Sequence, residues 1–196
     1  MTRAITGAAL FLASTLAAAQ ALPLGKPLPG MTRADPPAVA LLNPGFEAPA
    51  RPGAACPAGW ECVMHAASDS FRFFDDAEHP GSGAHSGCFE SVGREPWGKM
   101  VQGHPVGAPL RGKRVRLSAL LRLDKVTGDG AGPLLRAQGG SGNEVANRFE
   151  PAAGTSGWHR VSAELDVPQD TYLLELGFAL RGKGRVCVDE VRFEVL

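Results

Sequence analysis

The chain has 196 residues, with 20 basic and 20 acidic side chains and so no formal net charge, and 44% of its residues are hydrophobic. Neutrality argues against a nucleic-acid partner, whose phosphates call for a basic surface. The length is that of one domain able to bury a core, and no apolar run is long enough to span a membrane.

Residues 1–21 carry Arg3, an apolar stretch over 8–19, and small residues at Ala19 and Ala21. This is the pattern of a secretory signal peptide cleaved after Ala21. The mature protein is therefore expected to be secreted, periplasmic or held in the cell envelope. In such a setting the four cysteines imply two disulfides. Three connectivities are open; the expected one joins Cys56 with Cys62 in a small loop and Cys88 with Cys187 between two strands. Residues 22–39 are rich in proline without periodicity and read as an extended linker. Residues 40–196 form the domain.

Within the domain the strong signals have period two. In VRLSALLRL, Val115, Leu117, Ala119, Leu121 and Leu123 share a face. Val161, Ala163, Leu165 and Val167 alternate in the same way, as do Tyr172, Leu174, Leu176, Phe178 and Leu180. Shorter candidates lie at 40–43, 71–74, 88–92, 99–102 and 134–138, with Phe71 and Phe73 sharing a core face. Glycine-rich stretches such as EHPGSGAHSG, VTGDGAG and GGSGN separate them. The expected fold is all-β, an antiparallel β-sandwich of the jelly-roll kind. The final stretch, GRVCVDEVRFEVL, places Asp189 on one face with Cys187, Val191, Phe193 and Val195. A carboxylate on an apolar face must be protonated, paired or given a metal.

Little points to catalysis. GAPLRGKR, residues 107–114, approaches a phosphate-binding loop, but Arg114 stands where a serine or threonine should meet Mg²⁺ and a strand follows where a helix should. Asn143 breaks a nucleophile elbow at Gly139–Gly142. Asp75, Asp76, Glu78, His79 and His85 could supply acid-base groups or metal ligands, yet they lie in a glycine-rich loop without the fixed geometry catalysis requires. The chain is not expected to be an enzyme.

The order of motifs is distinctive: LLNPGFE at 41–47, AGW ending at Trp60, AHSG before a strand, GREPWG at 93–98, LRGKRVRLSALLR, GTSGWHRVSAELDVP, and GRVCVDEV. Together these resemble the jelly-roll carbohydrate-binding modules of the cellulose- and xylan-binding type, within the galactose-binding-like superfamily. The last third also resembles a bacterial accessory domain of unknown ligand. The resemblance implies a structural Ca²⁺ held by Glu47 and Asp189 with carbonyls from residues 82–87, a set of hard oxygens that suits calcium. It implies a ligand contact at Trp97, with Arg94, Glu95 and Gln102 as polar neighbours, and structural roles for Trp60 and for Trp158, the latter in the core. The expected function is non-catalytic binding of a cell-envelope or environmental glycan. The alternative is a structural accessory protein of the envelope that contacts other proteins, and a small hydrolase comes last.

Overall fold

The computed structural model describes residues 39–196 apart from Pro49, Arg51, Pro52 and Ala108. The signal peptide expected over 1–21 and all of the linker but Val39 lie outside the described residues. The domain is all-β: β1 Glu61–Met64, β2 Phe71–Asp76, β3 Ser86–Ser91, β4 Trp97–Pro105, β5 Arg114–Gly139, β6 Glu144–Phe149, β7 Ala152–Asp166 and β8 Thr171–Val195. The segment 40–43, expected as a strand, instead forms bends and turns that lead into Phe46.

Every strand pairing is antiparallel, and two long strands organise the sandwich. The first halves of β8 (171–181) and the second halves of β5 (130–139) join β1, β4 and β6 in the order β1-β4-β8-β5-β6. Residues 185–195 of β8 and 114–124 of β5 join β2, β3 and β7 in the order β2-β3-β8-β5-β7. The chain crosses between the halves at two bends. At the β8 bend Gly182 has φ +137°, and a Cβ there would lie 1.9 Å from the Thr127 carbonyl oxygen, so the close crossing of β5 and β8 requires glycine.

The core follows the predicted alternation. Val115, Leu117, Ala119 and Leu121 are fully buried, as are Leu174, Leu176, Phe178 and Leu180. Each such large side chain contributes about 1.5–3 kcal/mol of burial. Phe73 stacks on Phe89, and Trp60 stacks on Phe46 while donating its indole N–H to the Asn43 carbonyl. Tyr172 departs from the pattern and is exposed. Gln138 pairs with Leu173 but Gly139 pairs with Thr171, so Tyr172 falls in the gap and turns outward. Both expected disulfides, Cys56–Cys62 and Cys88–Cys187, are present.

The last strand corrects the expected placing of Asp189. Leu120 pairs with Asp189 but Ser118 pairs with Arg192, and Glu190 takes a left-handed φ of 46°. This bulge reverses the parity of everything after it. Val186 and Val188 before the bulge and Val191 after it all reach the core, while Asp189 stays with Cys187 on the other side. Val191, Phe193 and Asp189 do not share a face.

Candidate functional site

Two clusters of polar groups contain residues expected to bind a ligand or a metal. The first is a groove of about 540 Å³ on the outer face of the β1-β4-β8-β5-β6 half. In β4 the pleat sends Gly98 and Met100 inward and Trp97 and Lys99 outward. In β8 the outward positions are Glu175, Ala179 and Arg181; β5 contributes Leu134 and Arg136, and β6 contributes Glu144 and Asn147.

The groove floor is a row of alternating charges. Lys99 Nζ lies 2.7 and 2.8 Å from the two Glu175 oxygens, with both side chains mostly buried. Arg136 approaches Glu175 at 4.0 Å and donates to Glu144 at 2.7 Å. Burial works against the charge on Glu144, but hydrogen bonds from Asn147 and Arg136 outweigh it and hold its carboxyl below the usual range. Trp97 stands at one side of this row, partly exposed, with the Lys99 ammonium 5.9 Å from its ring centroid and the His65 ring edge-on at 5.9 Å. Directly across from Trp97 in β8 is Arg181, whose guanidinium lies 4.4 Å over the Phe149 ring.

Of the four predicted ligand contacts, the structure brings only Trp97 to the groove. Gln102 is buried; its Oε1 accepts from Leu42 N at 3.0 Å and its Nε2 donates to Leu42 O at 2.7 Å. Five residues from Trp97 is an odd step, so the pleat that exposes the tryptophan turns Gln102 inward. Glu95 accepts from Ala67 N at 3.1 Å and meets His65 at 2.7 Å, so it fastens the β1–β2 loop. The amide of Ala67 is the main reason its carboxyl lies below the usual range. Arg94 is exposed on the loop before β4. Lys99, Glu175, Arg136 and Arg181 were not singled out in the sequence. Their signal was the outward parity of strands whose inward residues were recognised.

The second place is the loop between β2 and β3. Asp189 Oδ2 accepts from Gly81 N at 3.0 Å and Ser82 N at 2.8 Å, and Oδ1 accepts from Glu190 N at 2.6 Å. Glu47 Oε1 accepts from Ala84 N at 3.0 Å and His85 N at 3.3 Å. The loop passes so close that a Cβ on Gly83, at φ +61°, would lie 2.1 Å from Glu47 Oε1. Asp189 is 1% exposed. Burial pushes its carboxyl above the usual range against the three amide bonds, and the charge of Glu47 pushes it further. Trp158 lies over this loop rather than in the core, only partly buried, donating to His79 O at 3.3 Å with the Arg122 guanidinium 5.3 Å from its ring.

Of the acidic residues before that loop, Asp76 is engaged on both oxygens and Asp75 on one, its Oδ1 being buried without a partner among the described residues. Asp75 accepts from Ala50 N at 3.2 Å. Asp76 accepts from Glu78 N at 2.9 Å and pairs with Arg122 at 2.8 Å. Asp76, Cys88 and Cys187 also lie together, but the two sulfurs are joined in the disulfide. Among the described residues no helix is long and apolar enough to cross a membrane.

No protein-family model matches the chain, and no curated protein does. Solved structures share its fold. The CBM22-1 xylan-binding domain of Paenibacillus barcinonensis Xyn10C is 18% identical with a TM-score of 0.51, covering 77% of this chain and 90% of that one. The TmCBM61 module, solved with β-1,4-galactotriose, is 14% identical with a TM-score of 0.50, covering 79% and 96%. The enzymatically active domain of the bacteriophage CBA120 tailspike protein 4 is 16% identical with a TM-score of 0.52; the match covers 82% of this chain but only 21% of the tailspike chain. The jelly roll expected from the motifs is thus the observed fold, one that carbohydrate-binding modules share.

Proposed function

We propose that this chain is an exported, non-catalytic module that binds a glycan in the groove beside Trp97. The observation that carries the reading is the groove itself: one partly exposed tryptophan next to a row of paired charges, on the fold of carbohydrate-binding modules. A pyranose offers an apolar face to an aromatic ring and hydroxyls at its edge. Lys99, Glu175, Arg136 and Glu144 supply fixed donors and acceptors at that edge. Their mutual pairing holds them in place before a ligand arrives, which lowers the ordering cost of binding. The non-catalytic reading is supported by Asp76, whose carboxylate is committed to a turn and to Arg122.

A structural Ca²⁺ at Glu47 and Asp189 belongs to the same proposal. Two carboxylates face one loop, and the charge of one disfavours ionisation of the other, which is buried. Hard oxygen donors of this kind suit the ion. Backbone amides already orient both carboxylates, so the ion's contribution is to neutralise them.

The experiment is co-sedimentation of the mature protein with a panel of insoluble polysaccharides and cell-wall material, wild type beside Trp97→Ala. Retention of the wild type that is lost in the variant is the expected result. Retention of neither would turn the reading to an accessory protein with a protein partner.

A further inference from the structure

The inference rests on the glycan-binding reading of the groove and narrows its ligand. We propose that the groove selects glycans carrying carboxylates, that is, uronate sugars, and that Arg181 is the residue that reads the acid.

Trp97 and Arg181 are partners across β4 and β8. Such neighbours have Cβ atoms about 4.5–5.5 Å apart on one face. A sugar ring stacked on Trp97 therefore brings its ring substituents to Arg181. The other groove cations are occupied: Lys99 by Glu175, and Arg136 by Glu144 and Glu175. Arg181 has no carboxylate within 4.0 Å and donates no hydrogen bond among the described residues. Ten described arginines do otherwise: Arg72, Arg111, Arg114, Arg116, Arg122, Arg136, Arg148, Arg160, Arg185 and Arg192 each reach a carboxylate or a carbonyl. Besides Arg181, only the exposed loop residue Arg94 does not.

The contact Arg181 does make leaves its donors free. Its guanidinium carbon lies over the Phe149 ring, 4.4 Å from the centroid, which holds the group at this side of the groove. None of its N–H groups is taken up by an acceptor among the described residues, and together they form the fork that matches a carboxylate in two parallel hydrogen bonds. Glu175 is paired with Lys99 and Glu144 with Arg136, and Glu144 also feels the charge of Arg181, so Glu144 opposes an incoming acid more than Glu175 does. Asp129, on the β5 bend at the groove rim, has no cation partner among the described residues. Its charge opposes the acid, and removing it should strengthen binding.

The test is affinity electrophoresis through polygalacturonate and glucuronoxylan, each as the free acid and as the methyl ester, at low and high salt. The wild type should bind a free acid at least about tenfold more tightly than its ester, one well-made charged pair being worth that much, and salt should reduce the preference. Arg181→Gln should bind acid and ester alike with unchanged melting temperature, and Asp129→Asn should bind the acid more tightly than wild type. Trp97→Ala should lose both forms. Equal binding of acid and ester by the wild type, or a preference that survives in Arg181→Gln, would overturn the inference. If neutral glycans are bound through Trp97 with no acid preference, this inference alone fails. If no glycan of either kind is bound, the glycan-binding reading fails with it.

Discussion

Gln102 places both amide atoms on the backbone of Leu42, inside the domain and away from the groove. Gln102→Ala removes both hydrogen bonds to the Leu42 backbone, each worth about 0.5–1.5 kcal/mol, and its expected effect is a loss of about 1–3 kcal/mol of stability with glycan retention unchanged; urea unfolding and co-sedimentation measure the two separately. Asp76 makes a prediction in pH. Burial opposes its charge, but the amides of Glu78 and His79 and the Arg122 guanidinium prevail and hold its carboxyl below the ordinary 3.8. A depressed folded value means that the unfolded chain takes up the proton first. The stability Asp76 contributes is complete above 3.8 and is lost as pH falls through the lower folded value. Wild type minus Asp76→Asn, followed by urea unfolding from pH 7 downward, should shrink over that range; a difference that grows instead would contradict the assignment. Single residues were the least legible part of the sequence. Trp97 stood out because glycines and proline surround it, whereas Arg181 and Phe149 look like any surface arginine and edge phenylalanine until the strands are paired.

At the scale of elements, the strands with one buried face were readable and those without were not. β5 announces itself because Val115 to Leu123 alternate against polar neighbours. β6, EVANRF, has no buried residue and so carries no period-two signal, yet it forms a wall of the groove. β1 has four residues, too few for a pattern. The bulge at Glu190 was equally hidden, since alternation read from sequence assumes an unbroken pleat. Of the two disulfides, Cys88–Cys187 spans 99 residues and Cys56–Cys62 spans 6. Loop-closure entropy makes the longer bridge worth about 2 kcal/mol more. Urea unfolding of Cys88→Ala/Cys187→Ala and of Cys56→Ala/Cys62→Ala should show the first pair costing more; equal costs would place the contribution elsewhere than in the unfolded chain.

At the scale of the whole domain, the segment before β1 is fastened to the last strand. Val191 N donates to the Pro44 carbonyl at 2.9 Å, and Glu47 and Asp189 meet on the same loop. A calcium ion there would join the two ends of the domain. The proposed ion binds only the folded state, so at a concentration of 100 times its dissociation constant it adds about 2.7 kcal/mol. EDTA should lower the melting temperature of the wild type by about 5–10 °C and leave that of Asp189→Ala where it is. An EDTA-insensitive wild type would remove calcium from the account.

Trp97 beside the groove and Trp158 over the Gly81–Ser82 loop are partly exposed tryptophans on opposite halves, and the proposed function depends on the first. The most direct measurement is co-sedimentation of wild type, Trp97→Ala and Trp158→Ala with the same polysaccharide panel, each variant first shown to be folded by circular dichroism. Retention lost in Trp97→Ala and kept in Trp158→Ala is the predicted result. Retention that survives in Trp97→Ala would contradict the placing of the glycan in the groove.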